Sequence, residues 1–169
     1  LAEVERLVKE SAQPAAEQAE ATEAAAEKPA DLAAFGACKF DGSDITVSDA
    51  LVEKIRERVY LGKMGFIALH SAHKSKPFRA ILGTNGNLSW GREQKEIVWT
   101  LLPAHEIAAG IPDHFLLPQE ELYSEPFYIP QPDELIFCGW FEDGHVMRAG
   151  ATFHTGAGKV FYFQPGHET

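Results

Sequence analysis

The order of apolar and polar residues predicts alternating strands and helices, with an abrupt boundary near the middle of the chain. Phe66 to Leu69, with Met64 just before, is a short apolar run typical of a strand buried on both faces of a parallel sheet. Polar residues follow within seven positions: His70, Ser71, His73, Ser75 and Lys76. Because ligands bind at the carboxyl ends of strands in open α/β sheets, this boundary is the first candidate site.

The spacing of small residues predicts which side chain this boundary presents. A sharp strand-to-helix turn that projects one side chain needs small residues two positions before and after it. His70 has Ala68 and Ala72 there, whereas Ser71 has Leu69 and His73. We therefore expect the turn to present the imidazole of His70. The alternative is a plain junction in which His70 satisfies a buried hydrogen bond.

The other elements follow from periodicity and turn residues. Helices are predicted at 51–60, capped by Ser48, at 78–82, ended by Gly83, and at 105–111, with a loop at 84–92. Predicted strands lie at 32–35, 96–102, 135–141, 146–153 and 159–163. The early alternation of strand and helix predicts a layered α/β sheet that is mostly parallel, with an added antiparallel hairpin at 135–153.

The chain length indicates one domain spanning residues 1–169. Residues 1–30 are rich in Ala and Glu, which predicts a solvated helix or a partly ordered connector. A strand so near the end is usually followed by a covering helix. We therefore expect pieces of the domain to be missing at one or both ends.

Composition narrows the classes of function. With 25 acidic against 15 basic residues, the net charge is −10, and nucleic acid is not an expected partner. Cys38 and Cys138 lack CxxC spacing, which argues against a disulfide framework or a zinc finger and fits a reducing compartment. No apolar run approaches the roughly 20 residues that span a bilayer, so a cytoplasmic protein is expected. A nucleotide cofactor is not indicated, because P-loop and GxGxxG motifs are absent.

Three further segments carry candidate chemistry. Trp90, near Arg92, suits stacking on a sugar ring, although it can equally cap the edge of the core. Glu121, Tyr123 and Glu125 would share one face of an extended segment and can act as acid and base groups, or form the polar face of an edge strand. The last predicted strand ends in Gln164-Pro165-Gly166-His167-Glu168.

Taken together, several motifs resemble the ThuA-like, or trehalose-utilisation, family from about Val47 to Thr169. They are GFIALHSAHKSK, NLSW, HEIAAGI, EELYSEPFYIPQPDELIF, GWFEDGHVMRAG and GKVFYFQPGHET. The resemblance implies a flavodoxin-like fold related to class I glutamine amidotransferases. Those relatives carry a cysteine at the sharp turn, where this chain has His70, so glutamine hydrolysis is not expected. The chain also departs from close relatives at 35–40, where their early histidines are absent.

The resemblance implies action on trehalose, a related disaccharide or a keto-sugar. It implies that the pocket contains His70, Ser71, His73, Glu121, Tyr123, His167 and Glu168. Within that pocket we expect acid and base roles for His70, Glu121 and His167. Substrate contacts are expected from Ser71, Tyr123 and Glu168, and, by stacking and hydrogen bonding to a sugar, from Trp90, Arg92 and Trp140. A divalent metal such as zinc, bound by His70, His73 and His167, is a variant of the same hypothesis. The hypothesis of another class is a non-catalytic sugar-binding or accessory protein, and a homo-oligomer is left open. All versions place the rings of His70 and His167 around a shared hollow.

Overall fold

Six strands form one sheet within residues 47–167, the part of the chain that the computed structural model describes. In chain order they are β1 (Phe66–Leu69), β2 (Ser89–Thr100), β3 (His114–Ser124), β4 (Glu134–Phe141), β5 (Val146–Thr155) and β6 (Gly158–Phe163). Their order across the sheet is β1-β6-β5-β4-β2-β3. The predicted segments 1–30, 32–35 and 35–40 lie outside the described residues.

The described sheet is mostly antiparallel, so the prediction of a mostly parallel sheet is not confirmed. Only β1 and β6 run parallel, with Phe66 opposite Val160 and Leu69 opposite Phe163. The other four neighbouring pairs are antiparallel. Short turns at Gly144 (φ 92°) and Gly156 (φ 61°) join β4 to β5 and β5 to β6. Connections this short can join only antiparallel neighbours.

The expectation that β1 is a central strand buried on both faces is wrong for the described chain. β1 lies at one end of the sheet, and β6 is its only described neighbour. Ala68 is fully buried, but Ile67 and Leu69 are 69% and 56% exposed. An apolar run without alternation therefore did not distinguish burial on two faces from burial on one.

Two predicted helices are present, and each begins two residues before its predicted range. Helix α1 (Asp49–Tyr60) is capped by Ser48, whose Oγ accepts a hydrogen bond from the backbone nitrogen of Leu51 at 3.3 Å. It buries the stripe Val52, Ile55 and Val59. Helix α2 (Lys76–Leu82) ends at Gly83, which has the left-handed φ of 65° that favours glycine.

Tertiary pairing changed two local predictions. The predicted loop at 84–92 becomes strand from Ser89, because Ser89 and Trp90 pair with Ser124 and Tyr123 on β3. Two irregularities in this pairing, after Trp90 and after Gln94, accommodate the turn-rich sequence. The predicted helix at 105–111 shortens to a single 3-10 turn, Glu106–Ala108.

The main core contains buried side chains from both helices and from the strands, including the end of β1. Phe78 and Tyr162 are fully buried, with ring centroids 5.7 Å apart, and Phe127 lies 5.1 Å from Tyr162. The hydroxyl of Tyr162 donates to the backbone oxygen of His70 at 3.3 Å. The core thus fixes the point at which β1 ends. All described residues belong to one compact unit, Ser43–Thr169. Within them, no helix has the length and apolar character needed to cross a membrane.

Candidate active site

His70 occupies the sharp turn at the end of β1. Its φ of 46° makes it the one residue other than glycine with positive φ among those described. A 3-10 helix, His70–Lys74, follows at once and leads into α2. The prediction that this turn is centred on His70 and not on Ser71 is confirmed. A backbone held in this sparsely populated region is common at functional sites.

Both ring nitrogens of His70 face oxygen atoms. Nδ1 lies 3.0 Å from the backbone oxygen of Gln164, just after β6, and Nε2 lies 3.1 Å from Oε2 of Glu121 on β3. The ring also stacks on Tyr123, with centroids 4.6 Å apart and planes 7° apart. The side chain is 12% exposed. Two elements that are remote in sequence, β3 and the end of β6, therefore fix the orientation of this imidazole.

His167 lies beside His70, as expected from two adjacent parallel strands that end at the same edge. The ring centroids are 5.5 Å apart. Nδ1 of His167 lies 3.6 Å from the same Glu121 Oε2, and its Nε2 lies 3.2 Å from Oε1 of Glu93. Hydrogen bonds from Gln119 and His167 lower the pKa of Glu93. Glu121 is thus the carboxylate shared by two imidazoles.

A buried carboxylate holds the backbone that carries His167. Glu120 is fully buried and accepts hydrogen bonds from the backbone nitrogens of Gly166 at 3.1 Å and His167 at 3.0 Å. Gly166 also permits a close approach, since a Cβ there would lie 3.2 Å from the Cβ of His70. Glu120 therefore positions His167 through the main chain, while Glu121 faces its ring.

A second buried carboxylate lies behind this backbone. Glu96 is fully buried, and the side-chain amide of Gln164 donates to its two oxygens at 2.7 and 3.1 Å. Burial, reinforced by the nearby charge of Glu120, raises the pKa of Glu96 to about 8. The backbone oxygen of the same Gln164 accepts a hydrogen bond from His70. The buried Glu96–Gln164 pair therefore helps to hold the imidazole of His70 in place.

Tyr123 packs against the ring of His70, and His73 packs against Tyr123. Burial and the adjacent Glu121 raise the pKa of Tyr123, so its phenol stays protonated and serves as a hydrogen-bond donor. His73 is 3% exposed and packs edge-on against Tyr123 and Phe127. Its Nδ1 donates to the backbone oxygen of Gly86 at 2.6 Å, and burial lowers its pKa. His73 is therefore a neutral packing group, outside the cluster formed by His70, Glu121 and His167.

The remaining predicted site residues are distributed unevenly. Trp90 is 74% exposed and directly opposite Tyr123 in the β2–β3 pairing, so the two side chains share a face. Ser71 is half-buried next to His70, and Arg92 is exposed on β2. Trp140, 49% exposed on β4, lines a separate cleft that shares no residue with the cluster. Glu168 lies outside the described residues.

Several supporting groups escaped sequence reasoning: Glu93, Glu96, Glu120 and the backbone of Gln164. Glu93 follows a segment that reads as a loop, and only the β-bulge before it aligns it with Glu121. Glu96 begins the predicted strand at 96–102, and the pattern of that strand does not distinguish it from an ordinary exposed strand residue. Glu120 carried one available signal, because it lies directly beside the candidate catalytic Glu121.

The cluster combines groups that can transfer protons near neutral pH with groups that orient them. Two imidazoles and one carboxylate oxygen meet within 4.8 Å of one another. The side chains of His167 and Glu121 are 32% and 22% exposed, so the cluster is accessible from outside. This arrangement can move protons to and from a bound hydroxyl or carbonyl compound, or bind a metal ion.

Fold and site together define a mixed α/β protein with a histidine-glutamate cluster at the ends of a parallel strand pair. The family "ThuA: Trehalose utilisation" matches residues 2–169, and the chain belongs to this family. No curated protein matches it.

Two solved structures are similar to this chain, and the first of them shares its fold. A ThuA-like protein from Parabacteroides merdae ATCC 43184 superposes with a TM-score of 0.61 at 16% identity, over 72% of this chain and 56% of that one. A ThuA-like protein from Bacteroides uniformis ATCC 8492 gives a TM-score of 0.48 at 16% identity, over 71% and 56% of the two chains. The chain thus covers little more than half the length of either structure.

Proposed function

We propose that this protein acts in trehalose utilisation as an enzyme on a sugar or keto-sugar, by acid-base chemistry at His70 and His167. The observation that carries the proposal is the convergence of both imidazoles on one oxygen of Glu121. Family membership supports the substrate class.

The geometry favours a proton transfer beside a carbonyl or at a hydroxyl. One imidazole removes the proton and the second returns it or protonates the oxygen, since imidazole can act as either a base or an acid. Glu121 orients both rings and also accepts a hydrogen bond from the phenol of Tyr123, whose ring stacks on His70. Balanced in this way, the reaction needs no external oxidant or reductant.

Trp90 provides a surface on which a sugar ring can stack. It is exposed beside Tyr123 and therefore borders the cluster. Trp140 lies in the separate cleft, so we assign it no part in binding the reacting sugar.

The test is exchange of a carbon-bound proton. Trehalose and its 3-keto form are incubated in deuterated water with the full 169-residue chain, and deuterium uptake at carbons beside the carbonyl is followed by NMR. We expect exchange of the keto form by the wild type and a loss of about 100-fold or more in His70→Ala and in His167→Ala. His154→Ala is the matched control, because His154 also pairs with a carboxylate, Asp133 at 2.9 Å, but at the surface away from the cluster.

Equal exchange by the wild type and His70→Ala would contradict the proposal. Binding of the sugars without any exchange would instead support the second candidate, a non-catalytic sugar-binding protein. The exposed Trp90 favours that candidate, since stacking alone suffices for binding.

A further inference from the structure

The ring nitrogens of His70 and His167 face more hydrogen-bond acceptors than two neutral imidazoles have N–H donors. Nδ1 of His70 faces a carbonyl oxygen and its Nε2 faces a carboxylate. His167 likewise has Glu93 at Nε2 and Glu121 at Nδ1. A neutral imidazole donates from one nitrogen only. With each outer nitrogen donating outward, the two inner nitrogens turn lone pairs toward Glu121. A proton or a metal ion between the three groups balances this arrangement.

We propose that His70 Nε2, Glu121 Oε2 and His167 Nδ1 bind one divalent metal ion of the zinc class. The inference rests on the proposed function in placing the chemistry at this cluster, but with a metal bound the two imidazoles serve as ligands and not as the acid and base. It is a claim about binding that needs no substrate.

The distances between the donor atoms fit such an ion. Zinc binds nitrogen and carboxylate oxygen at about 2.0–2.2 Å, and tetrahedral ligands at that radius lie about 3.3 Å apart. The Glu121 oxygen is 3.1 Å from His70 Nε2 and 3.6 Å from His167 Nδ1. All three atoms lie within 4.8 Å of one another. An ion can therefore enter with small side-chain adjustments.

The outer nitrogens have the partners that metal-bound histidines usually have. Such histidines donate their second N–H to a carbonyl or carboxylate, which fixes the ring and makes the metal-facing nitrogen a better ligand. Gln164 provides a carbonyl for His70 at 3.0 Å, and Glu93 provides a carboxylate for His167 at 3.2 Å. Gln119 in turn donates to Glu93.

The chemistry of the ligands selects the ion. Calcium and magnesium prefer oxygen ligands alone, whereas two imidazoles and one carboxylate suit zinc and its first-row neighbours. Three protein ligands leave a position for water or a substrate oxygen, where the ion supplies Lewis-acid polarisation. Glu121 replaces His73 of the ligand set predicted from the sequence, since Nδ1 of His73 donates to the backbone oxygen of Gly86.

The test measures metal binding directly. The untagged 169-residue chain is stripped with a chelator and titrated with Zn²⁺ by calorimetry, and Co²⁺ is added separately as a spectroscopic probe. We expect one equivalent of either ion, with intense visible Co²⁺ bands of a four- or five-coordinate site. Glu121→Gln, which preserves side-chain size, should abolish stoichiometric binding, as should His70→Ala and His167→Ala. Glu93→Gln should weaken binding by about 10- to 100-fold through His167.

His154→Ala is the control for adventitious binding and should leave the titration unchanged. Circular dichroism of each variant checks folding, and the two Gln variants preserve the test if an Ala variant unfolds. Absence of Zn²⁺ binding by the wild type, or wild-type affinity in Glu121→Gln, would overturn the metal site. Zinc binding without proton exchange leaves this site standing and contradicts the proposed enzyme. Proton exchange by stripped protein that binds no zinc supports the proposed enzyme and contradicts the metal site.

Discussion

Replacing the buried Glu96 by glutamine should make the protein more stable at alkaline pH and remove part of its pH dependence. Glu96 is fully buried beside Gln164, and its pKa is raised from 4.5 to about 8. The folded protein therefore keeps this carboxyl protonated at pH values where the unfolded chain ionises it. Between the two pKa values the folded state binds more protons, so the free energy of unfolding falls as pH rises.

The size of the effect follows from the two pKa values. They differ by about 3.5 units (8 − 4.5), and each unit corresponds to 1.36 kcal/mol, which gives a total on the order of 5 kcal/mol above pH 8. At pH 7 the interval crossed is about 2.5 units, or about 3 kcal/mol. Near pH 4.5 the loss is small, because the folded state is protonated and the unfolded chain is only half ionised at this carboxyl.

The assay is urea unfolding of the wild type and Glu96→Gln at pH 5, 6, 7 and 8. Glutamine matches the shape of the protonated acid, so we expect similar stability at pH 5 and an advantage of several kcal/mol for the variant at pH 8. His73 works in the opposite direction, because burial lowers its pKa and stability rises with pH up to about 6.5. That contribution is common to both proteins and cancels in the comparison. Parallel pH profiles for the two proteins would refute the reasoning.

Three further substitutions test the packing around the site by urea unfolding. Gly139→Ala should destabilise the protein by about 2 kcal/mol or more, because the new Cβ would overlap the buried carboxylate of Glu96; an unchanged midpoint would show that the carboxylate has room to move. Phe78→Ala should cost about 3–5 kcal/mol, since the fully buried ring packs on Tyr162, and a loss below 1 kcal/mol would contradict this core. Ser48→Ala should cost about 1 kcal/mol through the lost helix cap, whereas Ser48→Asp should preserve stability; equal losses in both would argue against capping.

The elements with strong local signals were predictable. The cap at Ser48, the stop at Gly83 and the turn at Gly144 each rest on the conformational preference of one residue, so neighbouring residues suffice to identify them. The same holds for the turn at His70, because crowding there depends on side chains only two positions away.

Strand direction was not predictable in this way. An apolar run such as Phe66 to Leu69 has the same pattern in a parallel and an antiparallel sheet, and whether Ile67 is covered depends on a partner elsewhere in the chain. The strand that begins at Ser89 shows the same limit, since pairing with β3 overrides its turn-rich composition.

The amino-acid sequence by itself determined where the backbone turns and which imidazoles stand at strand ends, because both depend on neighbours close along the chain. Tertiary structure alone decided that His70 and His167 share Glu121, that Glu93 supports one ring, and that His73 is packed away. The contacts of His70 and His167 with Glu121 and Glu93 join residues 46 to 74 positions apart, and such long-range distances are set only when the whole sheet has formed.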